Sequence, residues 1–149
     1  AALGPDPLEP GFELRPLLNR TMQAKRLLRD QKIIAGVGNA YSDEILHAAQ
    51  LSPFAIAESL GEDEIIRLEA ALHDVLSEAV EEARGKPAAE LKDDKRTRMR
   101  VHGRTGEPCP VCGDTVREVS YATSSLQYCA TCQTGGKPLK DRATSKFLK

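Results

Sequence analysis

The residues best suited to chemistry in this chain are its four cysteines, Cys109, Cys112, Cys129 and Cys132. They form two Cys-x2-Cys pairs separated by sixteen residues. Two intervening residues let both thiolates of a tight knuckle reach one tetrahedral ion, with metal–sulfur bonds of about 2.3 Å. Pro110 and Gly113 fall where such a knuckle has to bend. The sixteen residues suffice for a hairpin, running out over 115–120, turning near 122–125 and returning over 126–129. Four thiolates leave no coordination position for water, so the spacing predicts one structural zinc ion rather than a catalytic one. Two disulfides, a redox pair or an iron–sulfur cluster would use the same residue type. Close doubled pairs in a chain without secretory features favour metal. A hairpin of about 25 residues cannot bury much core, so metal binding would supply its folding energy. The motif leaves the partner open among DNA, RNA and protein.

A second constellation is Gly36-Val37-Gly38-Asn39 opening a helix. Backbone N–H groups at a helix N-terminus point outward, and the helix dipole favours a negative partner. In a nucleic-acid binder that partner is a phosphate, with Asn39 adding a side-chain donor and Lys25 or Lys32 adding charge. The alternative is a glycine turn that merely joins two packed helices. A dinucleotide fingerprint is not supported, because no strand leads into a full Gly-x-Gly-x-x-Gly. His47 and His73 read as ordinary surface or core residues, His102 lies near a knuckle whose site the four cysteines already complete, and Ser124 and Ser125 read as turn residues.

These sites need elements to position them. Hydrophobic spacing predicts a short helix at 12–19, a better one at 21–29 with Thr21 as cap, and one at 39–49 capped by Asn39. Asp43 and Glu44 then fall in its first turns. Residues 63–83 read as a long amphipathic helix with Ile65, Leu68, Leu72, Val75, Leu76 and Ala79 on one face. Met99 and Val101 suggest a short strand entering the cysteine hairpin. The expected organisation is mainly α: a linker at 1–11, a helical domain at 12–104, a zinc finger at 105–134 and a basic tail at 135–149.

The chain has 149 residues, 40% hydrophobic and 4% aromatic, enough for a helical domain and a small satellite. No stretch reads as a signal peptide or a membrane span, which makes a cytoplasmic protein the expectation. The net charge of −1 conceals segregation. Residues 15–32 hold six bases and one acid, 84–104 eight and three, and 133–149 five and one, whereas 58–83 hold nine acids and one base. Bases gathered into three segments point toward nucleic acid, although basic runs also serve as solvated surface.

In chain order, Ile34-Ala-Gly-Val-Gly-Asn-Ala-Tyr-Ser-Asp-Glu, a long helix, Gly103-Arg-Thr-Gly-Glu-Pro-Cys-Pro-Val-Cys-Gly and Tyr128-Cys-Ala-Thr-Cys-Gln follow one another. This combination resembles the C-terminal part of the formamidopyrimidine-DNA glycosylase and endonuclease VIII family. That part is a helix–two-turns–helix bundle followed by a β-hairpin zinc finger, and Leu3-Gly-Pro-Asp-Pro-Leu is similar to the family's interdomain linker. The resemblance covers nearly the whole chain. It implies a base-excision-repair DNA glycosylase and AP lyase whose DNA-damage-binding part is represented here. The expected partner is duplex DNA, held by a monomer associated with a bacterial nucleoid.

The resemblance also implies that the Gly36–Asn39 turn holds phosphates of the lesion strand and that the zinc hairpin approaches the DNA beside it. Two departures stand out. The family's catalytic machinery begins with a proline amine and a neighbouring glutamate in an N-terminal β-rich domain, and this sequence begins Ala1-Ala2. No catalytic residue is therefore expected in this chain, and the chain alone is expected to be inactive. At the hairpin tip, five residues before the third cysteine, the family usually has an arginine; Ser124 stands there, with Arg117 the nearest arginine of the hairpin. That change removes a bidentate phosphate contact and part of the filling around a flipped base. A fragment of a glycosylase, a naturally truncated DNA-binding relative and an RNA-binding module are the readings to separate.

Overall fold

The computed structural model describes residues 3–85, 87, 99–122 and 124–139. Most of the basic segment before the finger and the tail from 140 onward lie outside the described residues. A 3-10 turn at Arg15–Leu18 precedes α1 (Ala24–Arg29) and α2 (Asn39–Ala49). A second 3-10 turn at Ala57–Ser59 leads into α3 (Glu62–Ala83). The hairpin β1 (Val116–Ser120) and β2 (Ser125–Cys129) follows, closed by a one-turn helix α4 (Ala130–Gln133). The fold is mainly helical with one small antiparallel hairpin, as the sequence predicts. No helix among the described residues is long and apolar enough to cross a membrane.

The long helix forms where its apolar spacing demands. Leu68, Ala71, Leu72 and Leu76 are buried, and Glu62, Asp63 and Glu64 occupy the first turn, where the dipole favours anions. The Glu64 carboxylate accepts the N–H of Gly61 at 2.8 Å. The buried face meets Leu14, Leu27, Leu28, Ile34, Ile45 and Leu46 in the main core. Helix α1 is shorter than its pattern suggests, because residues just before it are extended. Ala57 N–H donates to Met22 O and Ala24 N–H to Ala55 O, and Gln23 forms a bridge with Ile56. Thr21 therefore caps nothing.

Helix α2 begins and ends where expected, but Gly38 occupies the cap position and makes no side-chain cap bond. Asn39 is the first helical residue, and its amide points elsewhere. The helix stops at Gln50, which takes a left-handed conformation (φ 59°) and returns its N–H to His47 O. Residues 3–11 pack onto the helices. Gly4 N–H donates to Gln31 O at 2.8 Å and Ala35 N–H to Pro5 O at 3.0 Å, with Leu8 and Phe12 against the core. A Cβ on Gly4 would lie 2.4 Å from the Ile33 carbonyl, so only glycine fits there.

The strand expected near Met99 and Val101 does not form. The buried Glu44 carboxylate instead accepts the N–H groups of Arg100, Val101 and His102 at 2.7, 2.9 and 2.9 Å, which bends this segment. Such a carboxylate is costly to bury unless its oxygens are met. Glu44→Gln places a donor among three donors, and urea denaturation is expected to show a loss of about 2 kcal/mol. Unchanged stability would show that this bend needs no anion.

Candidate nucleic-acid interface and zinc centre

The hairpin pairs Val116 with Cys129 and Ser120 with Ser125, and Tyr121 N–H closes its tip on Ser124 O at 2.7 Å. This register brings the first knuckle, 109–112, beside the end of β2, while α4 carries Cys132 back over it. The four Sγ atoms lie within 4.8 Å of one another. Cys109 and Cys132 are 3.8 Å apart and Cys112 and Cys129 3.3 Å. A tetrahedral zinc with 2.3 Å bonds places its sulfurs about 3.8 Å apart, so the quartet fits one ion with a slight expansion. The donor set is all thiolate and closed, which makes the site structural.

The thiols are not equivalent. Burial opposes ionisation of Cys109, yet the N–H groups of Cys112 and Val111 and the His47 ring bring it below its ordinary value. The N–H of Asp114 does the same for Cys112. Burial pushes Cys129 up to about 11 and Cys132 upward as well. Metal capture must expel the protons of these last two, so zinc affinity climbs with pH.

The finger is held against the helices by polar side chains of α2. Asn39 Nδ2 donates to Ser125 O at 3.1 Å, and its Oδ1 is buried without a partner. Asp43 is 1% exposed; Oδ1 accepts Lys25 Nζ at 2.5 Å, and Oδ2 pairs with His102 Nδ1 at 2.8 Å and accepts Gln127 N–H at 3.2 Å. His47 Nε2 lies 3.2 Å from Cys109 Sγ. From the finger side, Gln133 donates to Leu51 O at 2.9 Å while accepting Cys129 N–H. Phe54 packs on Val119, Leu126 and Tyr128.

The glycine turn sits at one end of this seam. Gly36 needs its glycine, with φ 87°, and its N–H is taken by Gln31 Oε1 at 2.9 Å. Gln31 also donates to Val37 O at 2.7 Å, bracketing the turn. Gly38 has ordinary φ (−95°), and a Cβ there would meet nothing within 4 Å. The N–H groups of Gly38, Asn39 and Ala40 donate to no described residue. Helix starts leave such donors outward.

Between α1 and the hairpin tip runs a groove of about 510 Å³, lined by Arg26, Arg29, Tyr121, Ser124, Ser125 and Leu126 among others. A larger cavity of about 720 Å³ between α2 and α3 carries Asp74, Glu78, Glu81 and Glu82, whose charge repels phosphate. The groove is the anion-compatible surface of the two.

Of the residues singled out in the sequence, the four cysteines meet at one point, and Gly36, Gly38 and Asn39 share one turn with exposed Lys32 beside it. Ser124 lines the groove. Lys25 does not present its charge outward: it is 6% exposed, and its ammonium donates to Asn39 O, Ser42 Oγ and Asp43 Oδ1. Burial holds it below its ordinary value, against the opposing pull of Asp43. Arg117 lies toward the knuckle end of β1 and does not line the groove. Sequence reasoning missed Arg26, Arg29 and Tyr121, and it read His47 and Asp43 as unremarkable. The recurrence of polar residues at 39, 43 and 47 on a buried helix was the available signal.

A helical unit whose glycine-turn helix is bonded to a four-cysteine hairpin defines the helix–two-turns–helix and zinc-finger class. Residues 3–89 match the formamidopyrimidine-DNA glycosylase H2TH domain, and residues 106–135 match the zinc finger found in FPG and IleRS. The chain belongs to the formamidopyrimidine-DNA glycosylase family. It is 57% identical over 150 residues to an uncharacterized formamidopyrimidine-DNA glycosylase-like protein of Mycobacterium tuberculosis, covering 99% of this chain and 95% of that one. It is 44% identical to the formamidopyrimidine-DNA glycosylase of Thermus thermophilus, covering 90% of this chain and 54% of the relative. Against that family's named glycosylases, the chain thus spans about half their length. The crystal structure of the MutM (Fpg) protein from Thermus thermophilus superposes with a TM-score of 0.77 at 42% identity, covering 91% of this chain and 55% of that one. A Lactococcus lactis Fpg complex with abasic-site DNA gives 0.77 at 28%, covering 89% and 52%.

Since at least two protons leave on metal binding, zinc affinity is expected to fall at least about 100-fold per pH unit on acidification. Competition with a chelator at pH 8, 7 and 6 measures this. A pH-independent affinity would mean that the thiols are already ionised.

Proposed function

We propose that this chain is the DNA-gripping part of the family's base-excision-repair machinery, binding duplex phosphates at the seam between α2 and the zinc hairpin. The observation that carries this is the set of N–H groups of Gly38, Asn39 and Ala40 that donate to no described residue, at a turn with open space over Gly38 and tied through Asn39 to Ser125 of the arginine-lined groove. Helix N-termini with free donors are ready anion sites. Lys32 adds exposed charge, Arg26 and Arg29 flank the strand, and the second hydrogen of the Asn39 amide reaches a phosphate oxygen. Ser124 offers a hydroxyl where relatives place a guanidinium, and Arg117 has at most a distant electrostatic part. Lys25 serves the site from within by holding Asn39 O. The Lactococcus lactis Fpg bound to abasic-site DNA supports this reading by likeness. On this reading the protein works as a monomer on nucleoid DNA in the cytoplasm.

On the same reading these residues alone excise no base. A Schiff base needs a free amine beside the sugar. Lys25 is the one buried lysine among the described residues, and its ammonium already has three acceptors. Borohydride treatment of the 149-residue chain on an abasic-site duplex is expected to give no covalent adduct; an efficient one would overturn this. A stand-alone DNA-binding module is the second reading, favoured by the extent of the Mycobacterium tuberculosis relative, 95% of which is covered.

Titration of duplex DNA against salt tests the grip. Arg26→Ala with Arg29→Ala is expected to reduce the salt slope by about 2, one for each lost phosphate contact. Gly38→Val, which the local φ tolerates, is expected to keep the melting temperature and weaken binding about tenfold by blocking phosphate approach. Full affinity in both variants would place the DNA elsewhere.

A further inference from the structure

His47 lies two turns beyond Asn39 on α2 and is 2% exposed. Its Nε2 stands 3.2 Å from the Sγ of Cys109, itself 3% exposed, while its Nδ1 is buried and meets no partner. A neutral imidazole carries one N–H. On Nδ1 that hydrogen would be a buried donor with nothing to meet, and the Nε2 lone pair would face the sulfur. On Nε2 the hydrogen meets the sulfur, and only an acceptor is left unmet. The surroundings therefore select the Nε2–H form.

Zinc with four thiolates carries a net charge of −2, and two of these thiolates, Cys109 and Cys129, are buried. Donors around the sulfurs draw off that charge and fix the ligands' direction. At Cys109 one such donor is local, Val111 N–H at 3.4 Å, whereas His47 reaches in from another element 62 residues away.

We propose that His47 is a positioning residue for the zinc centre: its Nε2–H donates to the Cys109 thiolate and holds that ligand on the metal. Zinc retention then depends on α2, the same helix that opens at the glycine turn. This inference stands whether or not that turn binds phosphate, because its test contains no DNA.

The zinc-loaded full chain is compared with His47→Phe, which fills the volume without a donor, and His47→Gln, whose amide nitrogen restores one at the same reach. Zinc loss to a colorimetric chelator is expected to be about tenfold faster in the Phe variant and close to the original in the Gln variant. With cobalt in place of zinc, the thiolate-to-metal charge-transfer band is expected to move to lower energy in the Phe variant and to return in Gln. A purely packing role would change stability without moving that band, so an unmoved band overturns the proposal whatever the release rate. If the Phe variant does not fold, the original protein still decides. Long-range ¹H–¹⁵N spectra of the ring with zinc bound are expected to show the hydrogen on Nε2, and a hydrogen on Nδ1 alone overturns the proposal.

Discussion

The polar face of α2 is the constraint on which the structure rests. Asn39, Asp43 and His47 recur every four residues, so they stack along one side of the helix with only a gradual drift. Each reaches a different level of the finger: the start of β2, its middle, and the first knuckle. Asp43 is the centre of this arrangement, because one buried carboxylate joins Lys25 of α1, His102 of the connecting segment and the backbone of β2. A charge so deeply buried is tolerable only when every oxygen is met. The same requirement that makes the carboxylate expensive makes the docking specific.

This docking explains how a finger with almost no core of its own becomes part of a defined surface. Its small apolar clusters, Val101 with Val116 and Val119 with Leu126 and Tyr128, cannot support a fold independently. Metal holds one end of the hairpin, and α2 and Phe54 hold the flank. The tip is then carried to the edge of the α1 groove, where Arg26 and Arg29 set the sign of the surface. Asp74, Glu78, Glu81 and Glu82 of α3 line a separate cavity against α2, so in a chain of nearly neutral total charge these acids lie apart from the arginines of the groove.

Ser124, at the tip position where the family resemblance implies an arginine, takes on meaning in that setting. The groove retains two guanidiniums from α1 and an aromatic ring from Tyr121, so its charge does not depend on the tip. What the hairpin loses is reach, since a serine hydroxyl cannot extend into the space that a long side chain would fill. On the proposed function, a surface of this kind suits backbone gripping better than reading a single extruded base.

Much was legible in the sequence because it depends on local spacing. The zinc ligands follow from two Cys-x2-Cys pairs, the span of α2 from the glycine turn that opens it and the Leu51-Ser52-Pro53 that follows it, and α3 from apolar residues three and four apart. The main departures share one cause: a partner distant in sequence took the group in question. Residues 21–23 lost their helix to pairing with 55–57, the strand near Val101 gave way to the Glu44 carboxylate, and Lys25 was turned inward by Asp43. The chain by itself thus determined the metal, the helices and the turn, whose causes lie within a few residues. Which cation faces outward, which acid is buried and which histidine touches a zinc ligand were decided only by tertiary structure, because burial and hydrogen-bond partners are set by elements up to 86 residues apart.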